Sequence, residues 1–271
     1  MTPVTCEAGL FVSTDKGSMA LRVLSAMSSV IGGSSLLGLG VFLWIGSFQV
    51  VALGLSGGGV LAWDAALSAV FFIQHSGMIR QAFRRQFERV TPPFVHAAVY
   101  SIVSGAALLL VIALWLRSDV VIWAVGPPLA LALRMGFVAA IIGFVWGIRA
   151  LRGFDGFGLR PIHDRARGRT RAPEPLTVRG PYRWVRHPLY TCVLLMIWSC
   201  PEVTADRLLF NLLWTGWIVV GTILEEKDLV RDFGVDYVRY RSMVPMLIPW
   251  TLRPRWPHGS HPGDGRQPEG H

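Results

Sequence analysis

The sequence predicts an all-α integral membrane protein, a bundle of five to six transmembrane helices, on three observations. Of its 271 residues 52 % are hydrophobic and only 16 % charged, a balance wrong for a soluble domain, and the mean hydropathy is +0.45. Uncharged runs of spanning length recur along the chain. The arginines between them fall in alternate loops. A net charge of +9 would suit nucleic acid on a soluble chain. Here the basic residues lie between apolar runs, so they read as topology signals and no nucleic-acid partner is expected.

Val23 to Trp63 holds no Asp, Glu, Lys or Arg over 41 residues, enough for one crossing and the start of a second, with the turn at Ser56-Gly57-Gly58-Gly59. The second span runs to about Met78, where Arg80, Arg84, Arg85 and Arg89 stop it and Pro92-Pro93 reset the chain. A third run covers Val95 to Leu116. Val120 to Ile148 carries one charge, Arg134, and gives a fourth span with Pro127-Pro128 near its start. After a polar stretch from Arg149 to His187 come two short uncharged runs, 14 residues to Pro201 and 17 from Leu208 to Leu224, linked by Glu202–Arg207. Each half of this hairpin is short, so five or six crossings are both open. Asp64 and Arg134 lie within spans and are expected inside the bundle, in helix packing or a mutual ion pair. Cys192 and Cys200 on one helix would stand about 12 Å apart, too far for a disulfide.

Counting Arg and Lys sets the orientation. The loop after span two carries four Arg and the segment Arg149–Arg186 ten, whereas the opposing links carry none at Gly57, one at Arg117 and one at Arg207. With Lys16 and Arg22 before span one, both termini are expected in the cytoplasm of a bacterial inner-membrane protein. No cleavable signal peptide is evident, because Glu7, Asp15 and Lys16 break up the start. The expected divisions are a cytoplasmic segment 1–22, a transmembrane domain 23–249 and a disordered tail 250–271 rich in Pro, Gly and His.

Polar residues concentrate from about 150 to 249, at the cytoplasmic membrane surface. There a polar cofactor can enter from the cytosol and a lipophilic or small volatile substrate from the bilayer. In Arg179-Gly180-Pro181-Tyr182-Arg183-Trp184-Val185-Arg186-His187-Pro188-Leu189-Tyr190, Gly-Pro makes a turn and Pro188 suits the first position of a helix capped by His187. The free N–H groups and positive dipole of that helix start, with Arg186 alongside, favour a carboxylate. Arg179, Arg183 and Trp184 equally fit an interfacial belt of basic and aromatic anchors. Glu225-Glu226 at the end of a hydrophobic helix are costly beside lipid unless paired, and suit an ammonium group. Phe233-Gly234 reads as a helix C-cap, and Tyr237, Tyr240 and Arg241 lead to Met243-Val244-Pro245, placed to fold back as a lid. Upstream, Gln74-His75-Ser76 ends span two, and Phe154-Asp155-Gly156-Phe157-Gly158-Leu159-Arg160 follows span four. A lone Gly-x-Gly is weak evidence for nucleotide binding.

Arg186-His187-Pro188-x-Tyr190, Glu225-Glu226 and Phe233-Gly234-x-x-Tyr237-x-x-Tyr240, in that order, resemble the isoprenylcysteine carboxyl methyltransferase superfamily. Gln74-His75-Ser76-x-Met78-x-Arg80, Phe157-Gly158-Leu159-Arg160 and the stretch from Trp198 through Pro201 to Leu208-Leu209-Phe210 are similar to its methanethiol S-methyltransferase and NnrU-like branch. Cys192 departs from the superfamily's frequent Gly, and Arg179-Gly180-Pro181-Tyr182 is closer to the wider superfamily than to that branch. The resemblance implies S-adenosylmethionine bound at the cytosolic ends of the last helices, held by Tyr182, Arg186, His187, Pro188, Tyr190, Glu225, Glu226, Tyr237 and Tyr240. It implies an acceptor pocket of Gln74, His75, Ser76 and Arg160, catalytic roles for Arg186, His187 and His75, and no metal. The expected acceptor is a small thiol such as methanethiol. A prenylated carboxylate or other lipophilic acceptor is one alternative, and a non-enzymatic NnrU-type membrane protein is another. The oligomeric state is left open.

Overall fold

The computed structural model describes residues 15–151, 153–170, 175–250, 253, 255 and 256. The segment before 15, with Cys6 and Glu7, and residues 257–271 lie outside them. Nine helices are described: α1 (Asp15–Ile45), α2 (Gly58–Ile79), α3 (Gln81–Phe87), α4 (His96–Leu114), α5 (Pro127–Ala150), α6 (Arg160–Ala166), α7 (Pro188–Trp198), α8 (Ala205–Phe233) and α9 (Val235–Met243). Among the described residues four stretches are long and apolar enough to cross a membrane: Met19–Ile45, Pro93–Leu114, Pro127–Ala150 and Ala205–Phe233. Only 11 % of the most apolar window of α5 is buried; Leu131, Met135 and Ile142 point outward, which is affordable only where the solvent is lipid. The chain is an all-α membrane protein in its spanning part.

The expected fifth and sixth crossings meet a physical obstacle at α7. Its 11 residues span about 16 Å, half the hydrocarbon thickness of about 30 Å. Its partner α8 is longer than its uncharged run, because Asp206 and Arg207 belong to its first turns and are buried instead of forming a polar link. α2 has 22 residues but carries Asp64, Gln74 and His75. Span four begins at Pro127, since Pro127 and Pro128 occupy the first helical positions, where a missing N–H is harmless. Residues before it form β1 (Val121–Ala124), paired antiparallel with β2 (Glu202–Thr204) through Val121↔Thr204, Trp123↔Val203 and Ala124↔Glu202. This two-stranded pair was not legible in the sequence. Span one likewise starts upstream of Val23, at Asp15, and ends at Ile45, well before the glycine turn.

The contacts divide the described chain into two compact units, each taken by itself. The first gathers residues of Met1–Gly40, Phe71–Ile112 and Asp155–Ala172. In it Asp155 accepts the Leu159 and Arg160 N–H groups at 2.9 and 2.8 Å and so starts α6. Ser28 Oγ donates to the Phe157 carbonyl at 2.6 Å. Gly158 has φ +67°, and a Cβ there would stand 2.3 Å from the Ala97 carbonyl carbon. The Gly-x-Gly of the sequence is therefore a docking point for the loop against α4.

The second unit gathers residues of Val41–Val70, Ala113–Phe154 and Pro173–His271. Its α5 and α7 approach closely because Gly143 and Gly147 face Cys192 and Leu189; a Cβ on Gly147 would lie 2.6 Å from Leu189 Cδ2. Two buried carboxylates hold the turn after α4. Asp64 accepts the Leu116 N–H at 3.0 Å, and Asp206 accepts the Ser118 N–H at 2.8 Å and the Trp115 indole N–H at 3.2 Å. Of the two roles expected for Asp64 and Arg134, helix packing or a mutual ion pair, the ion pair does not form. Arg134 donates to the Trp44 carbonyl and lies 4.2 Å over that residue's ring.

Candidate functional site

Four chain segments of the second unit meet at the C-terminal part of α8. Gly180, at φ +53°, turns the chain against Trp146 and Ala150, and a short 3-10 turn, Gly180–Arg183, leads to His187 at the N-cap of α7. Pro188 takes the first helical position. Glu225 and Glu226 come from α8, which ends at Phe233 because Gly234 adopts φ +56°. α9 then returns Tyr237 and Tyr240 to the site, 1 % and 3 % exposed.

Glu226 is the hub. Its Oε1 accepts Arg186 Nε at 2.6 Å, sits 3.2 Å from His187 Nε2 and accepts the Tyr237 hydroxyl at 3.3 Å. The Arg186 and Glu226 side chains are 8 % and 10 % exposed, so this is a desolvated ion pair. The other end of the guanidinium donates to the Arg241 and Val244 carbonyls. The lid expected from Met243-Val244-Pro245 is thus a strap already in place, since the Arg186 and His187 N–H groups donate to the Pro245 and Met246 carbonyls at 2.9 and 3.1 Å. Tyr240 donates to the Tyr182 carbonyl at 2.6 Å.

Glu225 is different. Its side chain is 43 % exposed, its Oε2 accepts the Tyr190 hydroxyl at 2.8 Å, and His187 Nδ1 lies 3.9 Å away. The Tyr190 and His187 rings stack at 5.6 Å. Burial first, and then the negative charge of Glu225, pushes the Tyr182 phenol well above its usual range. Burial and Glu226 do the same to Tyr237, so both keep their protons.

Every expected cofactor residue therefore falls in one cluster: Tyr182, Arg186, His187, Pro188, Tyr190, Glu225, Glu226, Tyr237 and Tyr240. Arg186, Glu226, Tyr237 and Tyr240 are committed to internal bonds, whereas Glu225 and the first turn of α7 keep spare polar capacity. The Leu189 N–H, in that first turn, has no intrahelical acceptor by helix geometry.

Gln74, His75, Ser76 and Arg160 belong to the first unit. There Tyr100, which the sequence reading missed, places its hydroxyl 2.7 Å from His75 Nε2. Gln74 Nε2 donates to Ser104 Oγ at 3.2 Å, and its buried Oε1 has no donor among the described residues. Arg160 opens α6.

Trp256 was also missed. It falls in the stretch expected to be a disordered tail, yet it is 1 % exposed and packs with Val178, Tyr237, Tyr240 and Val244. The Arg183 carbonyl accepts the Arg255 and Trp256 N–H groups, and Arg183 Nε donates to the Trp256 carbonyl at 2.8 Å. An isolated aromatic among prolines and glycines carries no periodic signal, so only the fold reveals it.

Spanning helices that carry a buried arginine–glutamate–histidine centre at one end of the last span define an integral membrane protein with a built polar site. The chain belongs to the family described as NnrU protein, whose match covers residues 65–229. Among its relatives, a methanethiol S-methyltransferase of a Pseudomonas species is 37 % identical over 193 residues, 69 % of this chain and 72 % of the relative. One from Mycobacterium tuberculosis is 35 % identical over 191 residues, 70 % of this chain and 78 % of the relative. Nurim of Rattus norvegicus is more distant, 28 % identical over 188 residues, 62 % of this chain and 68 % of the relative. No solved structure matches the chain.

Proposed function

We propose that the chain is a membrane methyltransferase that methylates methanethiol to dimethyl sulfide with S-adenosylmethionine as donor. The reading rests on relatives named methanethiol S-methyltransferase at 37 and 35 % identity. It is supported by one observation in particular: Glu225 is a half-open carboxylate that accepts the Tyr190 hydroxyl at 2.8 Å, beside the N-terminal end of α7 at His187.

The donor set fits an amino-acid-bearing cofactor. Glu225 takes the ammonium, and the first turn of α7 takes the carboxylate through its N–H groups and dipole. Arg186 adds positive field there while its own N–H groups stay on Glu226 and the strap carbonyls. Glu226 keeps Arg186, His187 and Tyr237 in register, and Tyr182, Tyr190 and Tyr240 wall the site. When bound, S-adenosylmethionine supplies an electrophilic methyl group on a sulfonium.

For the acceptor, the chain must orient a thiol and remove its proton, because the thiolate is the nucleophile and ordinary thiols titrate near about 8.5. Gln74 Oε1 accepts the S–H, and Ser76 and Arg160 complete the acceptor pocket. The imidazole of His75, positioned by Tyr100 in the same unit, takes the proton. Positioning alone contributes about 7–11 kcal/mol in well-oriented bimolecular reactions. The arginine-rich loops hold both termini and the cofactor site on the cytoplasmic face of the inner membrane.

Equilibrium binding of methyl-labelled S-adenosylmethionine to the detergent-purified chain tests this reading. Saturable binding that Glu225→Gln weakens is the expected result. No saturable binding would leave a non-enzymatic membrane protein as the better account.

A further inference from the structure

The opposite end of α8 holds a second polar site in the same unit. Arg207 and Glu226 are 19 residues apart on one helix, about 28 Å, so this site lies near the other membrane surface. A cavity of about 340 Å³ opens there, lined among others by Trp44, Ser47, Arg117, Arg134, Cys200 and Arg207. That volume is within the usual range of small-ligand sites, roughly 300–1,000 Å³.

Its charges do not balance. Glu202 lies on the cavity wall but pairs with Arg117 at 3.0 Å. Asp206, also on the wall, accepts three neutral donors, the Ser118 N–H, the Thr204 hydroxyl at 2.6 Å and the Trp115 indole, and its negative charge acts on Arg207 beside it. Among the described residues neither Arg134 nor Arg207 has a carboxylate within 4.0 Å. Arg207 is 4 % exposed, and two of its nitrogens donate to the Phe42 and Leu43 carbonyls at 3.2 and 2.7 Å. Its Nε is buried with no acceptor. Arg134 donates to the Trp44 carbonyl and is close enough to Arg207 for mutual repulsion.

The wall thus carries three guanidiniums, Arg117, Arg134 and Arg207, against two carboxylates, Glu202 and Asp206, and the α1 end that supplies these carbonyls offers only about half an electronic charge toward the excess. A desolvated excess positive charge is stabilised when a further anion joins it.

We propose that this cavity binds a phosphate oxyanion, with Arg134 and Arg207 as its ligands. A free phosphate and the phosphodiester of an anionic lipid share that chemistry. The exposed Trp44, Trp123 and Trp198 place this end of the unit where interfacial aromatics gather, within reach of either source.

The test is a tryptophan-fluorescence titration of the full chain in an uncharged detergent at constant ionic strength. The probes are inorganic phosphate, dioctanoyl phosphatidylglycerol and, as a lipid without phosphate, dioctanoylglycerol. A saturable response to inorganic phosphate assigns the site to a soluble oxyanion, and one to phosphatidylglycerol alone assigns it to a headgroup. In both cases Arg134→Gln weakens binding about tenfold or more, as does Arg207→Gln if that variant folds; Arg134 is only partly buried and keeps the test independent of Arg207. The proposal is overturned by no saturation with either phosphate probe, by an equal response to dioctanoylglycerol, or by unchanged affinity in Arg134→Gln.

Discussion

Replacing Glu226 with Ala removes the carboxylate on which Arg186, His187 and Tyr237 converge and leaves a guanidinium that is 8 % exposed without its counter-charge. Removing one partner of a buried pair costs about 3–5 kcal/mol, because the remaining charge stays desolvated. The two strap carbonyls keep part of the Arg186 bonding, so the lower half of that range is expected. At about 2–4 °C per kcal/mol for a chain of this size, the melting temperature falls by about 10 °C. Glu225→Ala is the control. Its side chain is 43 % exposed and accepts one hydroxyl, so its loss costs about 1 kcal/mol and about 3 °C. Thermal unfolding of both variants in the same detergent, followed by tryptophan fluorescence, measures the difference. If Glu226→Ala melts within about 2 °C of the parent, or no lower than Glu225→Ala, Glu226 is not the structural hub and the division of labour between the two glutamates is wrong.

Gly158→Ala forces a Cβ to 2.3 Å from the Ala97 carbonyl carbon at φ +67°; strain and overlap together cost about 3 kcal/mol or more, read as a lower melting temperature or lost expression. Gln74→Leu removes a buried oxygen that has no donor among the described residues together with the donor to Ser104, so stability falls by only about 1 kcal/mol while KM for the thiol rises, measurable by product formation against thiol concentration. Tyr237 is held protonated by burial and by Glu226. A folded-state pKa above the unfolded value of about 10 means its stabilisation is complete below pH 10 and is lost as pH rises beyond it. Tyr237→Phe therefore flattens the alkaline limb of the melting-temperature profile.

Much of the candidate site was readable because its chemistry is contiguous in the chain. A proline after His187 marks a helix start, two adjacent carboxylates at the end of an apolar run mark an unusual expense, and Gly234 marks a helix end. Each holds in the structure. What could not be read is which glutamate is buried, since Glu225 and Glu226 are neighbours and only the helix phase separates them. Long-range partners were equally hidden. Val244 and Arg241 meet Arg186 through backbone carbonyls, which have no side-chain signature, and Tyr100 reaches His75 from another helix. The charges Asp206 and Arg207 misled for a physical reason: a polar pair between apolar runs reads as a loop, but the turn after α4 takes up Asp206 and carbonyls of α1 take up part of Arg207 inside the protein. The same blindness concealed the β1–β2 pair, whose strands are too short to alternate.

The most direct measurement of the central claim is headspace detection of dimethyl sulfide from the purified chain given S-adenosylmethionine and methanethiol. The account predicts product from the parent protein and a large loss in Glu225→Gln, with folding intact. No dimethyl sulfide from protein that demonstrably binds the cofactor would contradict the thiol acceptor. Product formed equally well by Glu225→Gln would contradict the site.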